Sequence, residues 1–329
     1  MTGHQGSPPQ DESRTRVQWV DVDEDLAGQR LDNFLMARLR GMPKSVIYRI
    51  IRKGEVRVNK GRAKPAQRVQ AGDQVRIPPV REETRPGPAK APPGSRVQSL
   101  VEAAVVHETP DWLVVNKPSG LAVHGGSGLD FGLIEALRAS RPQAKFLELV
   151  HRLDRDTSGL VMVARKRSAL VALQNQMRHK RIHKVYHALV AGSWPDSLRQ
   201  VDGALLRYET PSGERRVRID EEGKESLTRF RVLERFRGYT LVEASPVTGR
   251  THQIRVHAAS AGHPIAGDSK YMDDASNQAF RRLGGHRLML HAAALEVMPP
   301  GSEEKQRFEA PEEPLFAQIL TLLREREKT

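Results

Sequence analysis

The chain contains no cysteine. That absence excludes disulfides, thiolate-bound zinc, iron–sulfur clusters and any mechanism built on a thiolate nucleophile. Aromatic residues are sparse, at 5%. No apolar run approaches the roughly 20 residues that a membrane-spanning helix needs, so no membrane partner is expected. Residues Met1 to Arg16 are polar and lack the apolar stretch of a secretory signal, which gives the expectation of a cytoplasmic protein. Acidic residues are outnumbered, 40 against 53 Lys and Arg, leaving a net charge of +13. Such an excess favours a polyanionic partner, because Lys and Arg release counterions when they neutralise phosphates.

A chain of 329 residues has room for two or three domains. Composition divides it into a disordered tail (1–22), a compact basic module (23–80), a linker (81–99) and a large domain (100–329) that ends in a helix near Glu313 to Arg326. The linker holds Pro86, Pro88, Pro92, Pro93 and Gly94 among charges, without apolar periodicity, and is expected to let the modules move relative to each other. In the basic module, Leu31, Phe34, Leu35 and Leu39 recur at helical spacing. Gly41 and Pro43 end that helix, and a second runs over 44–53 with Val46, Ile47, Ile50 and Ile51 as its buried stripe. Arg49, Arg52 and Lys53 share its other face. Residues 55–58 and 74–77 read as short strands, with a turn at Asn59-Lys60-Gly61. Between Gly28 and Val80 there are 13 Lys or Arg against three acids, so +10 of the chain's +13 lies in about a sixth of its length. A merely solvated face does not need such segregation.

The large domain mixes strand-like runs (103–106, 112–116, 160–164, 185–190, 230–233, 239–244) with helical ones (133–139, 169–177, 253–259). That order predicts an α+β domain with a mixed, mainly antiparallel sheet. Its most informative stretch is Leu149-Val150-His151-Arg152-Leu153-Asp154-Arg155-Asp156-Thr157-Ser158-Gly159-Leu160. Apolar residues enter it and a strand leaves it, so a polar loop pinned between buried elements can present a carboxylate into a cleft. Taken alone it could equally be a charged surface turn, with one Asp capping backbone. A second stretch, Thr248-Gly249-Arg250-Thr251-His252-Gln253-Ile254-Arg255, reads as a helix capped by Thr251. His252 and Arg255 then share a face, with Ile254 and Ala258 turned to the core. An Arg so supported suits a semi-buried carboxylate, though an amphipathic helix with an RNA-facing basic edge explains the pattern too.

Together these stretches resemble the RluA family of pseudouridine synthases. His151-Arg152-Leu153-Asp154-x-x-Thr157-Ser158-Gly159 is similar to the family's catalytic loop, and Asn116-Lys117-Pro118-x-Gly120-x-x-Val123-His124 to its upstream motif. Lys184-x-Tyr186-x-Ala188, Gly249 to Arg255, Gly267-Asp268-x-x-Tyr271 and Arg287-Leu288-x-Leu290-His291-Ala292 follow in the family's order. The helix–helix–strand module with Arg57-Val58-Asn59-Lys60 looks like an S4-type (αL) RNA-binding domain. The combination is most similar to the S4-bearing branch that modifies several uridines of large-subunit (23S) ribosomal RNA. The resemblance implies Asp154 as the essential nucleophilic carboxylate, Tyr186 stacking on a flipped-out uracil, and Arg255 pairing with Asp154. Whether Asp154 attacks base or sugar stays open. RNA contacts are expected from Arg49, Arg52, Lys53, Arg57, Lys60 and Lys64 in the small module. In the large domain they are expected from His151, Arg152, Arg155, Arg250 and His252. The reaction moves no electrons and no groups in or out, so no cofactor and no metal are expected, and a monomer is the default.

Competing readings are weaker. His179, His183 and His187 recur every fourth residue, but Arg178, Lys180, Arg181 and Lys184 would repel a divalent cation, and an RNA-facing basic patch explains them better. Ser158 near His151 and Asp154 lacks the Gly-x-Ser-x-Gly elbow of a hydrolase. Gly125-Gly126-Ser127-Gly128 lacks the Lys-Ser/Thr ending of a phosphate loop. Two other readings on this scaffold are a synthase acting on transfer RNA and a non-catalytic ribosome-assembly factor binding the same ribosomal RNA or pre-50S particle.

Overall fold

The computed structural model describes residues 16–39, 42–80, 96–125 and 131–328. It divides into two units, Met1–Ala89 and Lys90–Thr329.

The first unit opens with a strand, β1 (Gln18–Asp21). Helices α1 (Leu31–Arg38) and α2 (Lys44–Arg52) follow, then strands β2 (Arg57–Val58), β3 (Gly61–Arg62) and β4 (Gln74–Ile77). The sheet runs β1-β4-β2-β3, all pairings antiparallel. Asn59 and Lys60 both take positive φ (50° and 66°), the conformation a tight two-residue hairpin turn demands. Leu31, Phe34 and Leu35 from α1 meet Ile47, Ile50 and Ile51 from α2 over Val56, Val69, Val75 and Ile77 of the sheet side. The helical stripes read from sequence are therefore the packed faces, except that Val46 lies outside the core. Asp32, buried at the start of α1, is answered by Arg30 Nε and Nη2 (3.1 and 2.6 Å) and by the Tyr48 hydroxyl (3.0 Å).

The expected tail at 1–22 needs correction. Residues 1–15 lie outside the described residues, but Gln18–Asp21 pairs in register with Gln74–Ile77. A four-residue strand whose partner stands more than fifty residues later leaves no local signal except its alternation. The expected linker, 81–99, is likewise too long at its far end. Residues 81–95 lie outside the described residues, and helix α3 (Arg96–Ala103) already occupies the rest, burying Gln98 and Val101.

The second unit continues with β5 (Val105–Glu108), β6 (Trp112–Lys117), α4 (Leu133–Ser140), β7 (Glu148–Leu149) and β8 (Ser158–Ala164). Then come α5 (Arg167–Arg178), β9 (His183–Ala191), β10 (Gln200–Asp202) and a hairpin of β11 (Leu205–Glu209) and β12 (Arg215–Ile219). The chain closes with β13 (Leu227–Phe236), β14 (Tyr239–Pro246), α6 (Gln253–Ser260), α7 (Asp274–Arg282), β15 (Leu290–Val297), β16 (Gln306–Glu309) and α8 (Pro314–Arg326). The main sheet runs β10-β13-β14-β9-β15-β8-β6-β5, with β16 beside β15 and β7 beside β8. Only β15 against β8 is parallel among the described pairings, so the domain is α+β with a mainly antiparallel sheet, as the sequence predicts.

Strand β8 is buried along its whole length and pairs with β6 on one side and β15 on the other. Gly159 sits in it at φ 108°, where a Cβ would collide with the Ala292 backbone. The Ser158-Gly159 pair thus lets two strands close up at the point where the Asp154 loop ends. Helices α4 and α8 cover one side of the sheet, bringing Ile134, Leu137, Phe316, Ile319 and Leu320 into one core with Leu113, Val161, Leu189 and Val242. Helix α5 packs Leu170 and Leu173 on a second cluster with Trp112, Met162 and Leu295.

Candidate active site

Asp154 stands on the loop between β7 and β8, its side chain 22% exposed. The loop is fixed from below. Thr157 N–H donates to the Asp154 carbonyl (3.2 Å), Gly120 N–H to the Arg155 carbonyl (2.9 Å) and the Ser119 hydroxyl to the Asp156 carbonyl (2.7 Å). The fully buried Lys117 donates from Nζ to the carbonyls of Pro118, Leu121 and Arg155 (2.9, 2.8 and 3.0 Å). Burial pulls its pKa down to about 7, with the Arg287 charge adding and Asp156 and Asp154 opposing. Asn116-Lys117-Pro118 ends strand β6, as a strand terminus before Pro should. The ammonium at that terminus also ties the Asp154 loop to it. The sequence signal was a lysine closing an otherwise apolar strand.

Arg255 lies in α6, whose buried face also holds Ile254 and Ala258 as expected. Its guanidinium donates to both oxygens of Asp268 (Nε and Nη2, 2.7 Å each) and places Nη1 3.5 Å from Asp154 Oδ2. Burial works against the Arg255 charge, but the bonds to Asp268 and the charges of Asp268 and Asp154 outweigh it and hold its pKa above the ordinary value. So Arg255 stands beside Asp154 at 3.5 Å, yet its hydrogen-bonded partner is Asp268. That carboxylate is wholly enclosed and also accepts from the Lys270 and Tyr271 amides (2.9 and 3.3 Å). Gly267 before it has φ 75°, and a Cβ there would collide with the Arg287 carbonyl. The Gly267-Asp268-x-x-Tyr271 motif assigns Asp268 no role by itself, because nothing local reveals which of 40 acids a buried Arg will meet.

The Thr251 cap does not form. Helix α6 begins at Gln253 after His252, which takes the left-handed conformation (φ 53°) and offers no side-chain cap. Thr251 instead meets the Arg207 guanidinium from β11. Gln253 organises the turn: its Oε1 accepts from the Thr248 hydroxyl (2.7 Å) and the Arg250 amide (3.0 Å). The strained conformation swings His252 Nε2 to 3.8 Å from Asp154 Oδ2, while Nδ1 lies 2.7 Å from the Tyr271 hydroxyl. Burial lowers the His252 pKa to about 4, only partly opposed by Asp154. His252 is thus a neutral imidazole beside the carboxylate, not a phosphate-seeking cation.

Tyr186 on β9 is buried and lines the same cleft of about 250 Å³ as Asp154, Arg255, Lys184 and His252. Burial, then the Asp154 charge, pushes its hydroxyl above the usual tyrosine range. Arg152 and Arg250 are exposed and also line this cleft. Arg155 does not line the cleft and pairs with Asp156 (3.1 Å). His151 is not the RNA-facing cation expected from sequence: its Nε2 accepts from the Met162 amide (3.2 Å), and burial brings its pKa down to about 3. It braces the loop against β8 as a neutral ring.

In the small unit Arg49, Arg52, Lys53, Arg57, Lys60 and Lys64 are all exposed. Arg57 Nη1 donates to the Lys60 carbonyl (3.2 Å), which steadies the hairpin. The His179, His183, His187 series is broken up by the fold. His179 caps α5, whereas His183 and His187 stand on β9, where His187 pairs with Glu312 (2.7 Å). No group of three potential metal ligands occurs among the described residues. Ser158, far from acting with Asp154, hydrogen-bonds to the buried His291 Nδ1 (2.8 Å) and accepts from Arg287 Nη2 (2.8 Å).

The chain is similar to known proteins along most of its length. Residues 111–260 match the family model described as RNA pseudouridylate synthase, and residues 29–75 match the S4 domain. The chain is 54% identical over 316 residues to a protein of Vibrio cholerae named ribosomal large subunit pseudouridine synthase C, covering 95% of this chain and 99% of that one. An Escherichia coli protein of the same name is 54% identical over 310 residues, covering 94% and 97%. Among solved structures, human RNA pseudouridylate synthase domain containing 4 superposes with a TM-score of 0.58 at 25% identity, covering 69% of this chain and 95% of that one.

Proposed function

Since this chain belongs to the RNA pseudouridylate synthase family, we propose that it isomerises several specific uridines of large-subunit (23S) ribosomal RNA, with Asp154 as the nucleophilic carboxylate. The observation that carries this reading is the Asp154 carboxylate set beside Arg255 and Tyr186 at one cleft. Full-length similarity to relatives named for the ribosomal large subunit, S4 module included, supports the choice of substrate.

The chemistry asks little beyond such a site. The N1–C1′ bond of the uridine breaks, the uracil turns, a C5–C1′ bond forms, C5 loses its proton and N1 ends with one. Nothing is oxidised or reduced, and no group enters or leaves. The uridine must first leave its stack, at a cost of roughly a few kcal/mol. Contact with the Tyr186 ring offsets part of this, since base stacking on an aromatic is worth about 1–3 kcal/mol. Asp154 then serves as nucleophile toward base or sugar. Arg255, fixed by Asp268, keeps a preorganised positive charge at the carboxylate that needs no rearrangement during reaction. Arg152 and Arg250 grip flanking phosphates, and the exposed cations of the small module supply further RNA affinity.

The test is carbodiimide-based primer extension on unmodified 23S transcript treated with wild type or Asp154→Asn. New stops at several uridines with wild type alone are expected. Stops with neither protein, despite tight RNA binding, would sink the enzymatic reading for this RNA. Stops on transfer RNA instead would move the substrate.

A further inference from the structure

Lys184 and Tyr186 are two residues apart on β9 and therefore project from the same face of the sheet. Both line the cleft that holds Asp154. Lys184 is half-buried at this cleft, and burial lowers its pKa without an opposing charge. Among the described residues no hydrogen bond or ion pair ends on its Nζ. Three other cations of this unit are each answered: Arg255 by Asp268, Arg287 by Glu313 and Lys117 by three carbonyls. A half-buried ammonium without a counter-charge is unfavourable, so a partner that arrives with the substrate is the natural explanation.

Gly249 covers this ammonium without a side chain; a Cβ there would stand 3.6 Å from Nζ. Two residues of strand separate the two side chains by about 7 Å, a distance of the order of that from a nucleobase across its ribose to its phosphate. We propose that Lys184 receives the backbone phosphate of the target nucleotide while Tyr186 contacts its base. This rests on the pseudouridine synthase reading above and adds to it the group that sets the register of the flipped nucleotide. A charged phosphate satisfies the ammonium better than a neutral uracil carbonyl, because bonds between two ionised groups are shorter and stronger.

The experiment compares wild type, Lys184→Met and Lys184→Arg by steady-state pseudouridine formation on the 23S transcript across a salt series, together with their Tm values. For Lys184→Met, kcat/KM is expected to fall about 10- to 100-fold, in line with loss of one charge-assisted bond. The slope of log affinity against log salt should become shallower by about 0.7, one phosphate contact to single-stranded RNA. Lys184→Arg should retain the slope. The Tm of Lys184→Met should stay level or rise, since an unanswered charge has been removed. An unchanged slope with reduced rate would overturn the phosphate assignment in favour of a base contact, and a lowered Tm would make the role structural. If wild type formed no pseudouridine, the underlying reading would fail and this one with it; an active wild type matched by Lys184→Met would defeat this proposal alone.

Discussion

Arg255 gives two of its nitrogens to Asp268 at 2.7 Å and turns a third toward Asp154 at 3.5 Å. The guanidinium is planar, so anchoring one edge on a buried carboxylate fixes the direction of the other. Asp268 thereby positions a charge in a site that it does not itself touch. Asp268→Asn removes the charge from a wholly enclosed pair and should lower stability by about 3 kcal/mol, read by urea unfolding. Single-turnover rate on RNA should fall about 10- to 100-fold, with RNA affinity nearly unchanged. A folded variant with an unchanged single-turnover rate would show that Arg255 is held well enough without it.

Burial disfavours the charged form of four histidines in this domain, His151, His252, His257 and His291, which ties stability to pH. Burial lowers His291 to about 4, His252 to about 4 and His151 to about 3, each below the ordinary value of about 6.5. The unfolded chain therefore takes up protons at these rings first as pH falls. Their stability contribution is complete above pH ~6.5 and is lost progressively toward the folded values. For His291 alone the loss between pH 7.5 and pH 5 should reach about 2 kcal/mol. Urea unfolding at these two pH values checks it: His291→Gln should show a shallower fall than wild type, and equal slopes would contradict the assignment.

What could be read from sequence follows the range of the interactions. The helices of the small unit were legible because Leu31, Phe34 and Leu35 announce a face by spacing alone. The Asp154 loop was marked only by its place between an apolar run and a strand; those residues alone fit a charged surface turn equally well, and the role given to Asp154 came from the resemblance. Strand β1 and helix α3 were misassigned at their edges because each is short and gains its order from residues far along the chain. The Thr251 cap failed for a related reason. A cap is a local preference worth about 1 kcal/mol, and here Gln253, tied to Leu227 and Thr228, and Arg207 set the turn instead. Lys117 and Asp268 act through backbone carbonyls and a distant Arg, and neither leaves a periodic trace.

The C-terminal segment reaches the Asp154 loop through a two-step contact. Glu313, at the head of α8, accepts from the Ser119 amide (2.6 Å) and pairs with Arg287. Ser119 in turn donates to the Asp156 carbonyl (2.7 Å). Glu313→Ala leaves Arg287 without its counter-charge and the Ser119 amide without an acceptor. Stability should drop by roughly 3 kcal/mol, and hydrogen exchange at 119–120 and 155–157 should speed up. Unaltered exchange in those segments would mean that Lys117 alone fixes the loop.

Tyr186 offers the sharpest separation of two roles with two substitutions. Its ring lines the cleft, and burial and the Asp154 charge push its hydroxyl above the usual tyrosine range, so the phenolate is disfavoured at neutral pH. A ring that supports a flipped base by stacking is retained in Tyr186→Phe and lost in Tyr186→Ala. Base stacking is worth about 1–3 kcal/mol, so Tyr186→Ala should weaken productive RNA binding by about 5- to 150-fold. The Phe variant should bind within about twofold of wild type. Binding of an RNA carrying the target uridine, followed by single-turnover conversion, distinguishes the outcomes. If the Phe variant binds normally but converts no uridine, the hydroxyl takes part in proton transfer. If Phe and Ala lose affinity alike, the ring is not a stacking platform, and the base lies elsewhere in the cleft.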